Sequence, residues 1–70
     1  MSQIKSFFLN NEKYITEQQI NLDDLIRYFD YNESLLVLEY NQVIFDKSHW
    51  KETFIKDLDE IEIVTIVGGG

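Results

Sequence analysis

The chain keeps all three of its glycines for its last three positions, Gly68-Gly69-Gly70, and has no proline at all. Every turn and helix end before residue 68 must therefore be made without the two residues that most readily make them. That leaves Asn and Asp as the best turn formers, and it fixes where the elements can break. Directly before the glycines stands Ile61-Glu62-Ile63-Val64-Thr65-Ile66-Val67. This run is rich in β-branched residues and predicts a strand over 61–67. The pattern reads as a compact body over residues 1–67 that holds up a Gly tail, 68–70, expected to finish in a free carboxylate.

At 70 residues the chain is one small domain. A body of this size buries only ~60% of the surface its unfolded chain exposes. There is room for a helix on a sheet but not for an enclosed active site, so a carrier or binding role is expected rather than an enzyme. Thirteen acidic residues against six basic ones give a formal charge of −7. Such a surface repels nucleic acid and favours partners with basic faces. The chain has no cysteine and one histidine, His49. Disulfides, Cys-ligated zinc and a thiol carrier are thereby excluded, and no metal site is expected. Phe7-Phe8-Leu9 is followed at once by Asn10-Asn11-Glu12, too short an apolar run for a secretory leader. No stretch is long enough to span a membrane. The protein is expected to work where it is made, as a monomer when alone.

Ile4 to Leu9 predicts a first strand, Asn10-Asn11 a hairpin turn that tolerates positive φ, and Tyr14-Ile15-Thr16 the returning strand. Asn21 is a candidate N-cap, with Asp23 and Asp24 in the first turn where the helix dipole favours negative charge. Ile20 and Leu25 are spaced for a hydrophobic staple. Leu22, Leu25, Ile26 and Phe29 form one apolar stripe, with Asp23, Asp24, Arg27 and Asp30 expected on the wet side. Asn32 is the expected stop. Leu35 to Tyr40 predicts a strand, Asn41-Gln42 a turn, and Val43-Ile44-Phe45 a short return. Asp46 to Trp50 reads as a helical turn with Trp50 as a core plug and His49 solvated. Asp57-Leu58-Asp59-Glu60 reads as a charged, solvated turn; with Glu62 it lacks the spacing and the glycine of a calcium loop. Strands with one helix laid across them make an α+β domain. In the last strand, Ile61 and Ile63 are expected to face the helix. Glu62, Val64 and Ile66 face outward as a docking patch beside the root of the tail.

Two segments carry a resemblance: Leu36-Val37-Leu38-Glu39-Tyr40-Asn41-Gln42-Val43-Ile44 with Trp50 following, and Asp59 through Gly70. In both, and over nearly its whole length, the chain resembles the ThiS family, the ubiquitin-like sulfur carriers of thiamine biosynthesis. A terminal Gly-Gly alone would say little; here it sits in its required context. The resemblance implies a β-grasp fold, a mixed sheet of about five strands with one main helix across it. Leu58 stands where the family usually has Gly, and Lys47 where Arg is common, so a bidentate contact is not carried over to Lys47.

The resemblance also implies a chemistry. A ThiF-like, E1-like adenylating partner uses ATP and Mg²⁺ to activate the Gly70 carboxylate, and the carrier itself binds no cofactor. Sulfur from a cysteine persulfide, supplied by a donor such as a cysteine desulfurase, displaces AMP and leaves a thiocarboxylate. A ThiG-like thiazole synthase then takes the sulfur. Gly68 and Gly69 would thread the partner's channel. The tail's chemistry fits: three glycines reach roughly 10 Å beyond the body, and without Cβ atoms they pass close to a partner's backbone. An α-carboxyl with a pKa near 3.5 is ionised at neutral pH. Two neighbouring roles stay open at this level: the small subunit of molybdopterin synthase, and a ubiquitin-like modifier of target lysines. The location implied is cytoplasmic, or the plastid stroma if the gene is plastid-encoded.

Overall fold

The computed structural model describes residues 3–66; Val67 and the glycine tail lie outside them, as do the first two residues. Five strands form one mixed sheet: β1 (Lys5–Leu9), β2 (Glu12–Thr16), β3 (Leu36–Tyr40), β4 (Val43–Ile44) and β5 (Asp59–Thr65). Their order across the sheet is β2-β1-β5-β3-β4. The last strand of the chain thus occupies the centre, parallel to β1 and antiparallel to β3. One α-helix, α1 (Leu22–Tyr28), crosses the inner face. This is the expected α+β architecture, a β-grasp sheet with one main helix.

With glycine unavailable, asparagine makes the hairpins. Asn10 and Asn11 have φ of 50° and 68°, and Asn41 and Gln42 have φ of 50° and 70°. Both central residues of each two-residue turn are left-handed, the geometry that matches the twist of adjoining strands. Helix α1 begins with a reciprocal cap. The Asn21 side chain accepts from the Asp24 N–H at 2.7 Å, and the Asp24 carboxylate accepts from the Asn21 N–H at 3.2 Å. The helix stops earlier than Asn32. Asp30, at φ 58°, takes the left-handed position that follows the helix. Its N–H reaches the Arg27 carbonyl, and the Tyr31 N–H reaches the Ile26 carbonyl, both at 3.1 Å. That pair of bonds closes the helix end in the usual left-handed manner. Asn32 instead caps a 3₁₀ turn, Glu33–Leu35, by accepting from the Ser34 N–H.

Leu22, Leu25 and Ile26 from the helix pack on Phe7, Leu9, Leu38, Ile61 and Ile63 of the sheet, closed at one end by Trp50 and Ile55. Trp50 is the plug expected of it: its indole N–H donates to the Phe45 carbonyl at 3.2 Å. It is carried by a second 3₁₀ helix, Lys47–Glu52, whose N-cap Asp46 accepts from the Ser48 hydroxyl and N–H. Those bonds hold the Asp46 carboxyl below its ordinary range. The cap therefore contributes above the unfolded pKa and is lost as pH falls through the folded value. Asp23 corrects the expectation of a wet residue. It is buried, and its carboxylate meets Arg27 Nε at 3.0 Å one turn on.

Of the four residues expected as a solvated turn, Asp57 and Leu58 form an exposed turn and Glu60 is exposed, but Asp59 is not solvated. Asp59 is the first residue of β5 and is 94% buried, its accessibility being 6%. Its carboxylate accepts from the Tyr40 hydroxyl, from Asn41 Nδ2 at 3.1 Å and from the Lys56 N–H at 2.7 Å. Burial, and then this bond to Asp59, push the Tyr40 phenol well above its ordinary pKa and keep it a neutral donor. One residue earlier, Leu58 sits at φ 70°, although its side chain is exposed. Its N–H donates to the Ser6 carbonyl at 2.6 Å, and that bond helps hold the backbone there. A left-handed conformation costs a residue with a Cβ ~1–2 kcal/mol.

Two stability outcomes follow from this corner. Leu58→Gly removes the left-handed penalty, and part of that gain is offset by the greater freedom of glycine in the unfolded chain. It should stabilise the protein by about 0.5–1 kcal/mol in urea unfolding, and a loss of stability would contradict the backbone reading. Asp59→Ala leaves three donors without their charged acceptor. In the same measurement it should destabilise by about 3 kcal/mol or more.

Candidate functional site: the outer sheet face and the exit of the last strand

Strand β5 is held along both edges by the two hairpin corners. From one side, the Asn10 N–H donates to the Ile61 carbonyl at 2.9 Å. The Asn10 side-chain oxygen accepts from the Ile63 N–H at 2.8 Å. From the other side, the Asn41 N–H donates to the Glu60 carbonyl at 2.7 Å, and its side-chain oxygen accepts from the Glu60 N–H at 2.8 Å. The strand pairs of β1 with β5 run only from Phe7 to Leu9, so the Asn10 amide extends the pairing past the end of β1. On its other edge, β3 accompanies β5 from Tyr40↔Ile61 to Leu36↔Thr65. The last described backbone bond is from the Ile66 N–H to the Leu35 carbonyl, at 2.7 Å. The chain is thus fixed in place up to Ile66, at the rim of the sheet.

The alternation of β5 divides its residues as expected. Asp59, Ile61 and Ile63 are buried against the helix side, whereas Glu60, Glu62 and Val64 are exposed on the other. Val64 and Ile66 are about half exposed, at 49% and 52%. Register places Val37 directly beside Val64, and Glu39 directly beside Glu62. Ile44, exposed on β4, lies beside Glu39. Phe8 of β1 lies beside Glu60. The outer face is therefore an apolar strip next to carboxylates, and among the described residues no helix covers it. A shallow concavity of about 310 Å³ opens between them, lined by Phe8, Asn11, Glu39, Gln42, Glu60, Ile61 and Glu62.

Of the residues singled out from the sequence, Glu62, Val64 and Ile66 fall together on this face. Gly68, Gly69 and Gly70 lie outside the described residues, and so does the boundary between body and tail. The sequence reading missed Val37, Glu39 and Ile44 as members of the face. Their outward alternation was legible, but their adjacency to β5 depends on strand order. It also missed the Asn10 and Asn41 grip, whose local signal was read as turn formation only. Among the described residues no helix is long and apolar enough to cross a membrane.

Comparison with known proteins agrees with this geometry. The chain is similar to a protein of Trieres chinensis called uncharacterized protein ycf40. The two are 56% identical over 70 residues, which cover 100% of this chain and 96% of that protein. A ycf40 protein of Porphyra purpurea is 34% identical over 65 residues, covering 93% and 92% of the two chains. Among solved structures, the thiamine biosynthesis protein ThiS of Geobacter metallireducens superposes with a TM-score of 0.77. It covers 93% of this chain and 99% of that one, at 19% identity, a likeness of fold alone. The model of the ThiS family matches residues 3–70. The chain belongs to the ThiS family.

Proposed function

We propose that the protein is a sulfur carrier whose Gly70 carboxylate is adenylated, converted to a thiocarboxylate and spent in building the thiazole of thiamine. Family membership supports the carrier role. The observation that carries the reading furthest is the central, doubly gripped β5, pinned up to Ile66 beside an uncovered face. A partner docked on that face would find the start of the tail always in the same place. From Ile66, the remaining residues 67–70 span at most ~13–14 Å, enough to enter a nucleotide pocket while the body stays outside.

Each step makes a demand that the chain meets or leaves to a partner. The carboxylate attacks the α-phosphate of ATP, forming the acyl-adenylate and releasing pyrophosphate; Mg²⁺ on the partner screens the charge. A persulfide sulfur then attacks the acyl carbon and expels AMP. Releasing the thiocarboxylate requires a second thiol to cleave the sulfur–sulfur bond. This chain has no cysteine, so both thiols belong to partners or to a soluble reductant. The carrier contributes no acid, base or metal ligand to these steps. It acts as a protein co-substrate of an E1-like adenylating enzyme and of a thiazole synthase. The plastid stroma is the compartment we propose, on the ycf40 designation of the relatives.

Incubation with ATP, Mg²⁺, a ThiF-type adenylating enzyme and a persulfide donor should exchange one terminal oxygen for sulfur, read as a single shift in intact mass. An unchanged mass, with the same enzyme active on its own carrier, would contradict the reading. Transfer to a ThiG-type thiazole synthase, and not to the large subunit of molybdopterin synthase, separates the thiamine branch from its neighbour. Gly69→Ala should leave the unfolding midpoint as in the wild type and slow pyrophosphate release by about tenfold or more, because a Cβ must enter the channel. Charging of that variant at the normal rate would exclude a narrow channel.

A further inference from the structure

The sheet ends on two unlike edges. β4, at one of them, is two residues long. A strand that short offers little backbone to pair with, which is one way sheets protect an edge. β2, at the other, runs for five residues, Glu12–Thr16, and among the described residues its only strand neighbour is β1. It has no proline, and its register runs without a bulge from Lys5↔Thr16 to Leu9↔Glu12. Two common guards of an edge are therefore missing. The two-residue turn at Asn10-Asn11 makes Leu9 and Glu12 a hydrogen-bonded pair, and the alternation repeats at Phe7↔Tyr14 and Lys5↔Thr16. The backbone N–H and C=O of Lys13 and Ile15 therefore point away from β1, toward the open edge. Apolar surface flanks that edge on both sides. Ile15, 65% exposed, lies beside Ser6 on the outer side. Tyr28, 82% exposed, stands on the helix side, where it lines the hollow between β2 and α1. Lys13 and Glu17 are both exposed and stand two residues to either side of Ile15. Among the described residues the ion pairs are Arg27–Asp23 and Lys47–Glu33, so neither Lys13 nor Glu17 has one.

We propose that the open edge of β2 pairs with β2 of a second copy of this chain, antiparallel about a two-fold axis through Ile15. In that register Ile15 meets Ile15 of the second copy, and their backbones exchange two hydrogen bonds through the groups that point outward. Lys13 of each copy then faces Glu17 of the other, so an ion pair closes each end of the pairing. Centring the axis on a neighbouring residue sets Lys13 against Ile15 or Gln19, and centring it on Lys13 sets the two lysines together. The sequence therefore favours Ile15. The axis is normal to the sheet, which leaves both helices on one side with a Tyr28 ring on either side of the axis. Two five-stranded sheets become one continuous sheet. Only the short β4 edges are left open, and the contact uses the same patch on both copies, so assembly closes at two. The two β5 strands run in opposite directions, and each tail leaves at its own end of the sheet. This departs from the monomer expected from the sequence, and it does not depend on the sulfur-carrier reading. The net charge of −7 opposes self-association. At ~0.15 M salt that repulsion is screened beyond ~8 Å, so the dimer is weak and depends on concentration.

The experiment is sedimentation velocity of the full chain at ~0.15 M salt over a rising series of concentrations. It compares wild type, Lys13→Glu, Glu17→Lys, an equal mixture of those two, and the double variant Lys13→Glu/Glu17→Lys. Wild type should pass from monomer to dimer as concentration rises. Each single variant sets like charges opposite one another at both ends of the pairing and should dimerise at least about tenfold more weakly. The mixture should form a dimer as readily as wild type, because an acidic edge then meets a basic one. The double variant should also dimerise as wild type does, since both ion pairs return with their signs exchanged. A wild type that stays monomeric at every concentration would overturn the proposal, and so would dimers that form equally in all samples. Failure of both the mixture and the double variant to recover would overturn the register. Glu17→Lys makes the chain less acidic, so tighter association of that variant than of wild type would show that net charge, and not this pairing, governs self-association.

Discussion

The insertion of the last strand between the first and the third is the constraint on which the rest of the molecule depends. β5 has no hairpin partner of its own, so its register must be fixed by groups already in place. Asn10 and Asn41 do this from opposite sides, each using a backbone N–H and a side-chain oxygen on the β5 backbone. Both residues sit at hairpin corners where positive φ is needed, and asparagine tolerates it. Asp59 then locks the entry of the strand to Tyr40, Asn41 and Lys56. A one-residue slip would turn Ile61 and Ile63 out of the core and bring Glu60, Glu62 and Val64 in, so the register is strongly specified.

That register is also what builds the candidate face. Because the inward positions of β5 fill the core with Ile61 and Ile63, its outward positions are free to be chosen for partners. The helix covers only one side of the sheet, and the other is left as a strip of Val37, Val64, Ile66 and Ile44 beside Glu39, Glu60 and Glu62. The body is a stand in the mechanical sense: it supplies a fixed point, Ile66, and a recognisable surface beside it. The chemistry proposed for Gly70 needs nothing more from this chain than reach, narrowness and an ionised oxygen.

Much of this architecture was legible from residue patterns. The Leu22, Leu25, Ile26 and Phe29 stripe, the Asn21 cap and the Trp50 plug all rest on local periodicity or capping, and all form as read. The inward and outward division of β5 follows from its alternation alone. Apart from the helix end, the misreadings concern residues that meet segments far away in sequence. Asp59 looked like one acid in a wet turn because its donors include Tyr40 and Asn41, about twenty residues earlier. Asp23 looked exposed on a helical wheel, yet it is buried, on a helix that packs beside the second 3₁₀ helix. The helix end was placed at Asn32 on residue type, while Asp30 took the left-handed position first. Leu58 gave no sequence signal of positive φ; only its place opposite Ser6 requires it. The family resemblance did flag the position, as one where glycine is usual.

The account stands on a body that folds without regard to its tail, and a tail whose last carboxylate alone carries the chemistry. Deleting Gly69 and Gly70 tests both halves at once. The account predicts a chain with the melting temperature of the wild type, still bound by the adenylating enzyme, that accepts no sulfur. Sulfur found on the shortened chain, or a shortened chain that no longer folds, would contradict it.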